Sequence, residues 1–168
     1  MLRGPVGWVL GLGLLALGGC WLSGLLASEE TRVRRVLRAF AASFNEQRPG
    51  AMIVGLSEDF EDHNHGLDRQ SVKLVFLRVF NDPSLRDPQT RAFRYRAEFV
   101  DAGATIRCDD PEPGTAQASF ALRVHRVDAA AGSPPEWEAH FEAVLRKDQG
   151  DWKVHQSRYR TTSGSMPF

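Results

Sequence analysis

The spacing of apolar residues changes once along this chain, and that change limits the folds open to it. Val33, Val36, Leu37, Phe40 and Phe44 recur at helical spacing, and Val72, Val75, Phe76, Val79 and Phe80 repeat the pattern. From Phe93 onward the period becomes two. Phe93, Tyr95, Ala97 and Phe99 alternate with Arg94, Arg96 and Glu98, and Ala104, Ile106 and Cys108 follow beyond Asp101-Ala102-Gly103. Ala118, Phe120, Leu122 and Val124 form the next alternating run. Trp137, Ala139, Phe141, Ala143 and Leu145 form another, and Trp152 and Val154 open a last one that runs through Tyr159. Helices first and about five one-faced strands after them predict an α+β domain, with helices packed on one side of a curved antiparallel meander.

Punctuation supports the same order. Ser28 or Thr31 caps the first helix and Pro49-Gly50 ends its run, with Ala51–Leu56 read as one or two further helical turns. Asp68 caps the second helix and Asn81-Asp82-Pro83 stops it. Asp148-Gln149-Gly150-Asp151 reads as a hairpin turn. Residues 161–168 read as a flexible tail.

Ahead of this domain, residues 6–27 carry no charge. That run of roughly 22 residues is long enough to cross a hydrocarbon core about 30 Å thick as a helix. Arg3 on its short side favours the N-terminus inside, although Arg32, Arg34 and Arg35 flank the other end. A second reading of the same run is a secretory signal with a lipoprotein-type cleavage site, Leu17-Gly18-Gly19-Cys20, which would leave Cys20 for lipidation. Against cleavage, Trp21–Leu26 continues the apolar stretch. Either reading divides the chain into an anchor or signal segment at 1–28, a domain at 29–160 and a tail at 161–168. Both place the domain on the membrane, on its extracytoplasmic side.

Balanced charge, 21 Lys+Arg against 21 Asp+Glu, argues against a nucleic-acid partner. Two cysteines, Cys20 and Cys108, lie in separate segments and form no disulfide framework.

Several stretches together resemble the nuclear transport factor 2-like superfamily, which includes the SnoaL-like proteins. They are the amphipathic first helix, Leu56-Ser57-Glu58-Asp59-Phe60, Gly66-Leu67-Asp68, and Ala143–Lys147 followed by Gly150–Val154. The resemblance spans about Glu30 to Tyr159 and implies a cone, in which a bent sheet wraps the helices and leaves a pocket at the open end. The superfamily contains isomerases, dehydratases, cyclases and hydrolases beside transport and scaffold proteins, so the fold leaves the function open. Homodimers through the sheet are common in it.

The densest polar stretch is SEDFEDHNHG, residues 57–66, with four carboxylates and two histidines. Its Asp, Asn and Gly residues favour turns, and it reads as a loop at the pocket rim with Phe60 as its apolar anchor. As acid–base candidates it offers Asp59, Asp62 and His63. A metal held by His63 and His65 is the weaker reading, and no metal or other cofactor is expected. His125, His140 and His155 share phase with charged neighbours and should face away from the pocket. That leaves an aromatic lining of Phe93, Tyr95, Phe120, Trp137, Phe141 and Trp152, suited to a small apolar ligand. The leading expectation is a non-enzymatic binding or assembly module. The alternative is a SnoaL-like enzyme acting through the rim residues.

Overall fold

The computed structural model describes residues 28–168. The apolar run, Cys20 and the predicted anchor lie outside the described residues. Among the described residues no helix is long and apolar enough to cross a membrane.

Helix α1 spans Glu29–Asn45 and starts at Ser28, whose hydroxyl accepts the Thr31 amide. It buries Val33, Leu37, Ala41 and Phe44, one residue per turn along a single face. A short helix α2, Pro49–Met52, begins on its proline and runs into a 3₁₀ turn, Ile53–Gly55. Helix α3, Arg69–Asn81, is capped by Asp68, which accepts the Ser71 amide at 2.7 Å. It ends against a 3₁₀ turn at Pro83–Leu85.

Six strands follow the order β2-β1-β6-β5-β4-β3, where β1 is Leu56–Asp62, β2 Leu67–Asp68, β3 Tyr95–Cys108, β4 Thr115–Arg126, β5 Trp137–Asp148 and β6 Asp151–Gly164. This is the α+β cone expected, with two corrections to its sheet. The stretch read as a rim loop is largely strand: SEDFED lies within β1, and only residues 63–66 turn. Moreover β1 runs parallel to β6, so the sheet is mixed rather than wholly antiparallel. Parallel pairing needs a long crossover, and here all of β2 to β5 lies between the two strands in sequence.

Bulges curve the sheet. Asp101-Ala102-Gly103, where the alternating pattern predicts a turn between strands, instead lie in the bulge of one continuous β3: Val100 pairs with Ala121 and Thr105 with Ser119. Five steps on β3 therefore match two on β4, which bends the long strand around the helices. On β6, Val154 pairs with Leu145 and Gln156 with Val144, so His155 is an extra residue. The β5–β6 hairpin closes on Gln149 and Gly150, both with positive φ, as a two-residue turn of that type requires.

The segment expected as a flexible tail, 161–168, is partly strand. Strand β6 continues to Gly164, and Phe168 packs its ring 5.8 Å from Phe44 and 6.3 Å from Tyr95. Few apolar residues mark this segment in sequence, and only the folded sheet brings them against the core.

Candidate functional site

Between the concave face of the sheet and the helices lies a cavity of about 970 Å³. Its wall is mostly apolar. Strands β4 and β5 supply Phe120, Trp137 and Phe141, with Phe120 and Phe141 stacked at 5.6 Å, while α1 and α3 supply Phe40 and Phe76 in edge contact at 6.0 Å. Small residues on the sheet, such as Ala97 on β3 and Ala143 on β5, leave the space that larger ones would fill.

Of the six residues expected to line the pocket, Phe120, Trp137, Phe141 and Trp152 do so. Phe93 and Tyr95 do not. They pack in a neighbouring aromatic cluster with Phe44, Phe80 and Phe168, at the end of the sheet where the helices close over it. Phe60, Tyr159 and Phe168 line the cavity although the sequence singled out none of them as lining.

The polar wall of the cavity is built by the end of β1 and the second half of β6. Asp62 is buried, with its side chain 11% exposed. Its Oδ2 accepts the His65 amide at 3.0 Å and lies 3.1 Å from His65 Nδ1, and its Oδ1 is 3.5 Å from the Ser157 hydroxyl that donates to it. Asp62, His65, Ser157 and Tyr159 all line the cavity. The Tyr159 ring lies 5.9 Å from the imidazole, and burial, with a smaller contribution from the Asp62 charge, pushes its phenol above the ordinary value.

The three rim residues expected to act as acid or base therefore separate. Asp62 reaches the cavity. Asp59, 68% exposed, points away from it and lies 3.1 Å from His155 Nδ1 on the other face, with Arg146 at 3.9 Å. His63 is 45% exposed beside Glu61 and is not in the cavity wall. The imidazole that meets Asp62 is His65, which the sequence suggested only as a metal ligand beside His63. The two histidines have different neighbours, and among the described residues no group of three or more His, Cys, Asp or Glu is placed to hold a metal ion.

Period-two logic placed His155 facing outward. It lies on the side away from the cavity, but it is buried beneath Asp59 because β1 covers that edge of β6. The bulge at His155 also explains why Ser157 and Tyr159 went unrecognised. Trp152 and Val154 face the cavity ahead of the extra residue, and beyond it the inward phase passes to Ser157 and Tyr159. His140 and His125 lie on the convex side, paired with Ser119 at 2.8 Å and with Glu98 at 3.0 Å.

Comparison with known proteins gives the fold and stops there. No protein-family model matches the chain, and no curated protein matches it. Solved structures do. One is a protein of unknown function with a cystatin-like fold from Nostoc punctiforme: TM-score 0.62, 14% identity, 83% of this chain and 94% of that one covered. A second is a nuclear transport factor 2-like protein with a cystatin-like fold from Novosphingobium aromaticivorans: TM-score 0.60, 14% identity, 98% and 94% covered. A third, from the same organism, is a candidate scytalone dehydratase: TM-score 0.61, 15% identity, 80% and 85% covered. The chain has the cystatin-like, nuclear transport factor 2-like cone fold.

Proposed function

We infer that this domain binds an apolar small molecule inside its cone. One observation carries the reading: the cavity of about 970 Å³, walled mostly by aromatic and aliphatic side chains, with Asp62, His65 and Ser157 gathered on one wall. Sites for small organic ligands have this form, an apolar enclosure with a small number of placed polar groups. Titration of the full chain with a neutral apolar dye such as Nile red tests it. The expected result is saturable binding at one dye per chain, weakened by Ala143→Phe, which fills the cavity while circular dichroism shows the fold kept. Dye uptake that does not saturate, or that the filled variant retains in full, would overturn it.

A second reading is favoured by the Asp62–His65 pair. Asp62 accepting Nδ1–H would fix the imidazole with Nε2 free to take or give a proton, as a SnoaL-like isomerase, dehydratase or hydrolase requires. The structural similarity to a candidate scytalone dehydratase is consistent with such chemistry. On this reading Asp62→Asn and His65→Gln abolish turnover and leave ligand affinity nearly unchanged. Loss of affinity and of stability together would make the pair structural. A membrane tether at residues 1–28, by an uncut helix or through Cys20, remains part of the proposal. It rests on the uncharged run at 6–27, and fractionation of full-length protein, with mass analysis of Cys20, tests it.

A further inference from the structure

We propose that the ligand is a single-tailed amphiphile with an anionic head, and that Arg35 receives the head while the tail occupies the cone. The proposal rests on the preceding reading of the cavity as a ligand site and assigns the class of ligand.

The cavity meets solvent where its lining residues are exposed. Arg35, Ala39, Val54 (59%) and Val75 (41%) are exposed and line it, so one opening lies between α1, the 3₁₀ turn and α3. The 3₁₀ turn touches both helices there, and Val36 packs under it close to Gly55. An opening edged by valines wets poorly, and it favours a ligand with an apolar portion to cover it.

The arginines of α1 are unequal. Arg34 pairs with Glu30 at 2.7 Å and with Asp101 at 3.1 Å, and Arg38 pairs with Asp101 at 2.7 Å. Arg32 is engaged by Glu29 at 3.3 Å and by the Gly150 carbonyl at 3.2 Å. Arg35 makes no ion pair or hydrogen bond among the described residues, and it is the one of these four that both edges the opening and lacks a partner. Lys153 also lines the cavity, with its ammonium on the Val54 carbonyl at 2.5 Å. The carboxylates in the wall are Asp62, already bound to His65 and Ser157, and Asp151 on the hairpin. A guanidinium free for a planar bidentate contact, beside an apolar shaft, matches a carboxylate or phosphate carried on one hydrocarbon chain.

The test uses the full chain in nanodiscs of neutral phosphatidylcholine and three photoactivatable probes with the same diazirine-bearing chain: a carboxylic acid, an alkyl phosphate and a primary alcohol. Labelled peptides are identified by mass spectrometry. The acid and the phosphate are expected to label the β4 and β5 peptides roughly tenfold more than the alcohol does. Arg35→Gln should erase that preference and Arg35→Lys should keep part of it. Equal labelling by acid and alcohol, unchanged in Arg35→Gln, would overturn the anionic head and leave the apolar site standing. Absence of label from β4 and β5 with every probe would overturn both.

Discussion

At the scale of single residues, the wall of the cone gathers groups that the chain keeps far apart. Asp62 and His65 come from one turn, while Ser157 and Tyr159 come from the far end of the sequence. The raised phenol of Tyr159 gives a pH prediction. A group whose folded-state pKa is raised favours the folded chain fully below the unfolded value, near 10, and loses that contribution as pH rises through the folded value. Stability should therefore fall above pH 10, and the fall should be smaller in Tyr159→Phe, as followed by denaturant unfolding at stepped pH. In ultraviolet titration one tyrosine should ionise later than a free phenol, and Asp62→Asn should move it part of the way back. A Tyr159 that titrates normally would mean the phenol is not buried beside Asp62. Glu29 gives the opposite sign. The Trp152 indole N–H donates to its Oε2 at 2.6 Å and Lys147 sits 3.1 Å away, and together they hold the carboxyl below its ordinary value. The stability this brings is present above the unfolded value, 4.5, and is lost as pH falls through the lower folded one. Trp152→Phe, which removes the first donor, should flatten that acid-side slope.

At the scale of elements, the cone depends on how β5 and β6 are joined at both ends. Leu145 on β5 has no exposed surface, and Leu145→Ala should cost about 2–5 kcal/mol in chemical unfolding. At the far end Gly164 adopts φ +69°, and a Cβ there would lie 2.0 Å from the Glu136 carbonyl oxygen. Gly164→Ala should therefore destabilise by more than about 1 kcal/mol and release Phe168 from the core. Full retention of the melting temperature would mean that the end of β6 is not held as described. The elements also show what a sequence can reveal. Both long helices, the cap at Asp68, the first cap as either Ser28 or Thr31, and the hairpin at Gln149-Gly150 are legible, because local spacing and turn chemistry determine them. The parallel β1–β6 pairing is not, since it joins residues about a hundred positions apart and leaves no local mark. Tyr159 is hidden for a related reason: one extra residue at His155 reverses the phase of Ser157 and Tyr159. His65 is legible as a candidate site residue but its pairing with Asp62 is not, because the turn at 63–66 aims it back at Asp62 and turns His63 away.

At the scale of the whole molecule, the account rests on a largely apolar cavity, open to solvent beside Arg35, that no large side chain fills. The helices and the mixed sheet explain why the space exists: the bulges bend β3 and β6 around α1 and α3, and alanines at 97 and 143 keep part of the wall thin. The most direct measurement is native mass spectrometry of the full chain, isolated from its source without denaturation. The account predicts one organic molecule retained per chain, and its loss from the cavity-filled variant Ala143→Phe. A chain that arrives empty, and stays empty when offered the acid and phosphate amphiphiles, would contradict it.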